Sequence, residues 1–166
     1  MPIADFTASL GAGWSPVDTV RHLTKSMRAV SQGLALPRWL LRVLFGASHA
    51  VARSYDAVVA DYHGRLRRGG QAGRFAPSAR APRGDIEAHR RVVLASHRKA
   101  VEQLARQIMS LTRRQTDTLR LPHPLLGRLA LREMFLFVLY HNLHHVHVVA
   151  RRRGEYFSDD TPLRGA

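Results

Sequence analysis

Cysteine is absent from the chain. That excludes a disulfide framework and every thiolate metal site, so any metal bound here must rest on His, Asp or Glu. Long apolar runs are missing as well. "RWLLRVLFGASHAVA" is interrupted by Arg42 and His49, and "MFLFVLY" is only a few residues long, against the roughly 20 apolar residues that a membrane-crossing helix needs. Residues 1–12 show no basic-then-apolar leader, so a cytoplasmic location is the expectation. Acidic residues are scarce, 12 Asp and Glu against 26 Lys and Arg, for a net charge of +14. Such an excess can attract nucleic acid, anionic lipid or an acidic metabolite. Here the arginines spread along the whole chain, most densely in "RLRRGGQAGRFAPSARAPRG", "LTRRQ" and "ARRRG". No nucleic-acid-binding motif accompanies them, which favours a solvated basic surface without a specific nucleic-acid partner. Sustained strand alternation and internal repeats are also lacking.

What is present is enough for one packed domain. The 166 residues are 45 % apolar, which suits a single unit over 1–166 with a short lead at 1–13 and a loose tail at 153–166. "GWSPVDTVRHL" opens a helix. Ser15 can cap it, Pro16 suits the first helical position, and Asp18 favours the positive end of the helix dipole. Val17, Val20, Leu23 and Met27 give it an apolar face running to about Gly33. Pro37 opens a second helical segment that is interruptible near Gly46 and stops at Gly69 and Gly70. Residues 69–84 read as a long loop. A third helix is expected from about Asp85 to Arg113, with Ile86, Val93, Val101, Leu104, Ile108 and Leu111 on its apolar face. Residues 114–128 read as another loop, followed by a last helix from about Leu129 to Arg152. The expected fold class is all-α, a bundle of antiparallel helices.

The histidines carry the chemistry. "HNLHHVHVV" packs four of them into residues 141–149. The apolar stripe through Met134 and Val138 continues, seven residues on, to His141 and His145. Two histidines at i and i+4 can chelate one metal ion, although surface and core pairs share that spacing. A metal site needs a third ligand, and His22 is the best candidate, two turns into the well-capped helix. Asp18 can either cap that helix or hydrogen-bond the second ring nitrogen of His22, with capping favoured. His144 can orient the site or sit at a helix contact. His147 is expected in solvent and His97 at the border of the core. His49, His63 and His89 show no partner in the sequence, and His123 lies between two prolines. Glu133, eight residues before His141, reads better as a charge partner for a helix N-terminus than as an acid or base.

Taken in order, "GWSPVDTVRHL" and then "HPLLGRLALREMFLFVLYHNLHHVHVV" resemble the DinB-like (DinB/YfiT) superfamily of metal-binding four-helix bundles. "RLRRGGQAGRFAPSARAP" is similar to that family's central loop, and the likeness covers about residues 13–152. The resemblance implies that His22, His141 and His145 hold a divalent metal, with one coordination position left for water or substrate, and three neutral imidazoles suit zinc, nickel, iron or copper. It further implies chemistry of the thiol-dependent transferase, isomerase or hydrolase kind, in which the metal binds and activates a small thiol. Two features depart from the family pattern. Only "MPIADFTASLGAG" precedes the tryptophan motif, too short for a full first helix, which leaves a groove expected to recruit a second copy or another partner. Val148 stands where a polar residue, often Gln, is common. A non-enzymatic reading stays open beside the enzymatic one: a metal-binding or interaction protein whose basic surface meets a partner chain or an anionic surface. Its membrane-surface form rests on "PRWLLRVLFGASHAVAR" with Arg38, Arg42 and Arg53.

Overall fold

A computed structural model describes residues 2–11, 13–77 and 84–155. Most of the expected tail and the centre of the arginine-rich loop lie outside them. The elements in order are α1 (Ile3–Thr7), α2 (Pro16–Leu34), α3 (Arg38–Phe45), α4 (Tyr55–Arg67), a 3-10 turn at Gly73–Phe75, α5 (Ile86–Met109), α6 (Arg113–Thr118), β1 (Arg120–His123), β2 (Gly127–Ala130) and α7 (Leu131–Arg152). The chain is thus mainly helical, as expected.

The helix starts follow from local chemistry. The Ser15 hydroxyl accepts the Asp18 N–H at the head of α2, with Pro16 in the first turn. Ser54 caps α4 and Asp85 caps α5 in the same way, and Thr112 and Gln115 form a reciprocal capping box on α6. Gly46 ends α3 at φ 76°, a left-handed turn that a β-carbon disfavours. The expected break near Gly46 is therefore real, and it separates two helices.

Three expectations are corrected. The strongest helix pairings run parallel rather than antiparallel. Arg21 and Thr24 of α2 meet His89 and His97 near the start of α5, and Ser31 meets Gln107 near its end. Likewise Arg53 lies beside Glu133, and Tyr62 beside Phe137 and His141, so α4 follows α7 in the same sense. Helix α2 against α7 is antiparallel, with Trp14 near His145 and His22 near His141. The helical segments between α2 and α5 carry the chain back, which makes the parallel pairing possible. The second correction lies in the stretch read as a loop over 114–128. It holds α6 and an antiparallel hairpin in which Leu121 pairs with Leu129, and α7 accordingly begins at Leu131. Four-residue strands are too short for alternation to show, and two prolines in "LPHPLLG" obscure it further. Third, Val101 on α5 is 39 % exposed. Helix α5 packs on one side only, chiefly against α2, so its buried stripe narrows to Val93, Ala100 and Leu104.

The main core gathers Met27, Leu41, Val58, Leu104, Leu119, Leu129, Leu131 and Phe137. A smaller cluster joins Phe6 of α1 to Val17 and Val93. Part of the strip expected to lie bare beside α2 is therefore covered by α1. The hairpin closes one end of the bundle against α2. A β-carbon at Gly33 would stand 2.5 Å from Leu121 Cδ2, so the hairpin can approach α2 this closely only because residue 33 has no side chain.

Candidate metal centre

Helices α2 and α7 bring His22, His141 and His145 together. Nε2 of His141 lies 3.1 Å from Nε2 of His22 and 3.1 Å from Nε2 of His145, and one ligand atom from each of the three falls within 4.8 Å of the others. Two nitrogens bound at zinc distance stand roughly 3.0–3.4 Å apart, between octahedral and tetrahedral angles. The two separations measured from His141 lie in that window.

The tautomer of His22 is set by its surroundings. Its Nδ1 lies 2.8 Å from the Phe75 carbonyl, which can only accept, so Nδ1 carries the proton and Nε2 presents a lone pair to the other two rings. One proton on His141 Nε2 can bridge only one of its two ring contacts well. A divalent cation satisfies all three nitrogens at once, so the donor set fits a metal. Burial agrees. His22 is 4 % and His141 6 % exposed. Burial, reinforced by the neighbouring imidazoles, pushes the pKa of His141 down to about 2 and that of His145 to about 3. Burial also lowers that of His22, outweighing the Phe75 hydrogen bond. Neutral imidazoles are the form that binds metal.

Aromatic walls hold the rings. Trp14 stacks on His145 and tilts against His22, and Phe137 stacks on His141 at 5.0 Å between centroids. Behind this layer, Tyr140 joins His63 and His144 through its hydroxyl. His144 thus sits at a contact between α4 and α7, and His63 has found a partner.

The other assignments divide. Asp18 does not touch His22. Its carboxylate accepts from the Ser15 hydroxyl and the Arg21 guanidinium, so it supports the Ser15 cap at the start of α2, and the Phe75 carbonyl fills the role considered for it. Glu133 is 8 % exposed and accepts from the Ala130 N–H, the Arg53 N–H and the Arg53 side chain, which makes it a helix-start partner. His123 is half-buried, and its Nδ1 accepts the N–H groups of Leu125 and Leu126, tying the hairpin turn. Burial brings its pKa down to about 4. His97 borders the core beside Thr24, as expected. His147 is half-buried rather than solvated, because α7 is enclosed further round than its stripe implied. His49 is exposed, and His89 meets Arg21.

The sequence reading missed Phe75 and Phe137. Phe75 acts through its backbone, from within a stretch of Gly, Ala and Arg, so no side-chain pattern could mark it. Phe137 stood in view, four residues before His141, as an ordinary core residue. No family model, curated protein or solved structure matches this chain.

Proposed function

We propose that the chain is a DinB-like metal protein, in which His22, His141 and His145 hold one divalent ion that serves a transferase or hydrolase acting through a small thiol or water. The observation that carries the reading is the convergence of three imidazole nitrogens within 4.8 Å, His141 Nε2 standing 3.1 Å from each of the other two, with the His22 lone pair aimed inward by Phe75. When bound, a divalent ion lowers the pKa of a coordinated thiol or water and holds it as a nucleophile. The chain's own contribution is orientation and shielding. Phe75 fixes one ring, Trp14 and Phe137 fix the other two, and the surrounding apolar side chains exclude bulk water. A cavity of about 300 Å³ beside the triad gives a substrate room, a size within the range of small-molecule sites.

Elemental analysis of purified protein tests the reading. About one zinc, nickel or iron per chain is expected in the wild type, and little in His141→Ala if that variant stays folded. A folded wild type that takes up none of these ions, even on titration, refutes the metal reading. A second, non-enzymatic reading draws on the α3 surface, where Trp39, Val43 and Leu44 are exposed beside Arg38 and Arg42. That face suits a partner chain or an anionic surface. Turnover of thiol or ester substrates by the metal-loaded protein favours the first reading, and metal binding without turnover but with capture by anionic vesicles favours the second. No helix among the described residues is long and apolar enough to cross a membrane.

A further inference from the structure

The cavity beside the three histidines is elongated. Along α2 its wall runs from His22 through Met27 and Val30 to Gly33, and along α7 from His145 back to Met134. Eleven residues of helix cover roughly 16 Å. Apart from the histidine end, the walls are mainly apolar, with Leu23, Met27 and Val30 of α2, Leu66 of α4, Phe137 and Val138 of α7 and Leu125 of the hairpin turn, and Leu121 stands at the far end beside Gly33. A polar metabolite would leave its hydrogen-bonding groups unmet along such a slot, at a cost for each one.

The charge at the near end points the same way. Among the described residues no Asp or Glu lines the cavity, and Arg74 does. The two nearby carboxylates are engaged elsewhere, Asp18 with Ser15 and Arg21, and Glu133 with Arg53. Three neutral imidazoles around a divalent ion carry two uncompensated positive charges in a half-buried place, and a bound anion is the natural counter-charge.

We propose that the cavity takes a straight-chain amphiphile, with an anionic donor end, carboxylate or thiolate, set against His22, His141 and His145 and its alkyl or acyl chain lying along α2 toward Gly33. The placement of the head rests on the metal reading above, whereas the placement of the chain rests on the apolar slot alone. An apolar chain gains from leaving water along the whole slot, and the donor end fixes its direction. The inference thus narrows the substrate class from small thiols in general to those, or the corresponding acids, that carry a long apolar chain.

Calorimetric titration of the zinc-loaded protein with butanoate, hexanoate, octanoate and decanoate tests this. Affinity is expected to climb roughly fourfold per methylene buried and to level off once the slot is full. In a parallel arm 1-octanethiol should outbind 2-mercaptoethanol by a similar climb. Val30→Trp, which blocks the middle of the slot, should bind zinc normally, keep butanoate and lose the gain for decanoate. The milder Val30→Phe serves if the larger ring unfolds the bundle. Zinc binding with an affinity independent of chain length, or 2-mercaptoethanol equal to 1-octanethiol, overturns the slot while leaving the metal reading intact. If the protein binds none of zinc, nickel or iron, the metal reading fails by itself. Titration of the metal-free protein with 1-decanol then decides the slot: uptake abolished by the Val30 variant supports it, and no uptake overturns it.

Discussion

Replacing Glu133 with Ala should cost the fold about 3–5 kcal/mol. The carboxylate is nearly buried and accepts four hydrogen bonds: from the Ala130 N–H at 3.2 Å, the Arg53 N–H at 2.9 Å, and Arg53 Nε and a terminal guanidinium nitrogen at 3.0 and 3.4 Å. Removing it orphans two backbone N–H groups, each costing roughly 1–3 kcal/mol where water cannot reach. The guanidinium adds less. The Arg53 side chain is 36 % exposed and keeps Asp61 as a partner, so it rehydrates in part. The sum resembles other cases in which one member of a buried ion pair is removed and takes a large share of a typical total stability of about 5–15 kcal/mol. Urea unfolding of the metal-free protein reads it directly, as a lower midpoint at unchanged slope. Glu133→Gln keeps one acceptor and should lose roughly half as much. Burial pushes the Glu133 carboxyl up, but its bonds to Arg53 and Ala130 outweigh this and hold it below its usual value. Its stabilisation is therefore present above the unfolded-state carboxyl value and is lost as pH falls through the folded one, where wild type and Glu133→Ala should converge. A loss under about 1 kcal/mol at neutral pH would refute the hydrogen-bond hub. A folded Glu133→Gln that had lost metal would show that Glu133 serves the centre and not only the start of α7.

Three further outcomes follow from the geometry. His22→Ala and His145→Ala should each lower zinc affinity steeply by calorimetry while His147→Ala leaves it nearly unchanged, since only the first two face His141; equal effects from all three would dismantle the triad. The metal-free fold should weaken in mild acid: His123, His141 and His145 have folded pKa values of about 4, 2 and 3, so stability complete above about 6.5 drains as pH falls from there toward those values, by up to roughly 1.4 kcal/mol per pH unit for each. Circular dichroism at fixed temperature should show unfolding well above the carboxylate range, and a metal-free fold unaltered down to pH 4 contradicts the burial of these rings. Gly33→Ala should destabilise by roughly 1–3 kcal/mol through overpacking against Leu121, despite the better helix propensity of Ala; a higher melting temperature would show that Leu121 yields freely.

Much of the architecture was legible in the chain itself. Ser15 with Pro16, the i and i+4 histidines and the break at Gly46 are local patterns, because capping and helix periodicity act over a few residues. They place the helices and single out His141 and His145, and the absence of cysteine leaves imidazoles as the leading ligands. Tertiary structure decided the rest. That His22 meets a pair more than a hundred positions away depends on α2 lying antiparallel to α7, which no local signal encodes. The parallel pairing of α2 with α5 depends on how the intervening helices return the chain. The Phe75 carbonyl aims His22 only because the central loop folds back over α2, and a backbone oxygen carries no side-chain signature. The apolar slot exists between elements rather than within any one of them. Its shape depends on how closely α2, α4, α7 and the hairpin approach, and that is set by packing: a missing β-carbon at Gly33 lets Leu121 close one end, while Trp14 and Phe137 hold three imidazoles at the other.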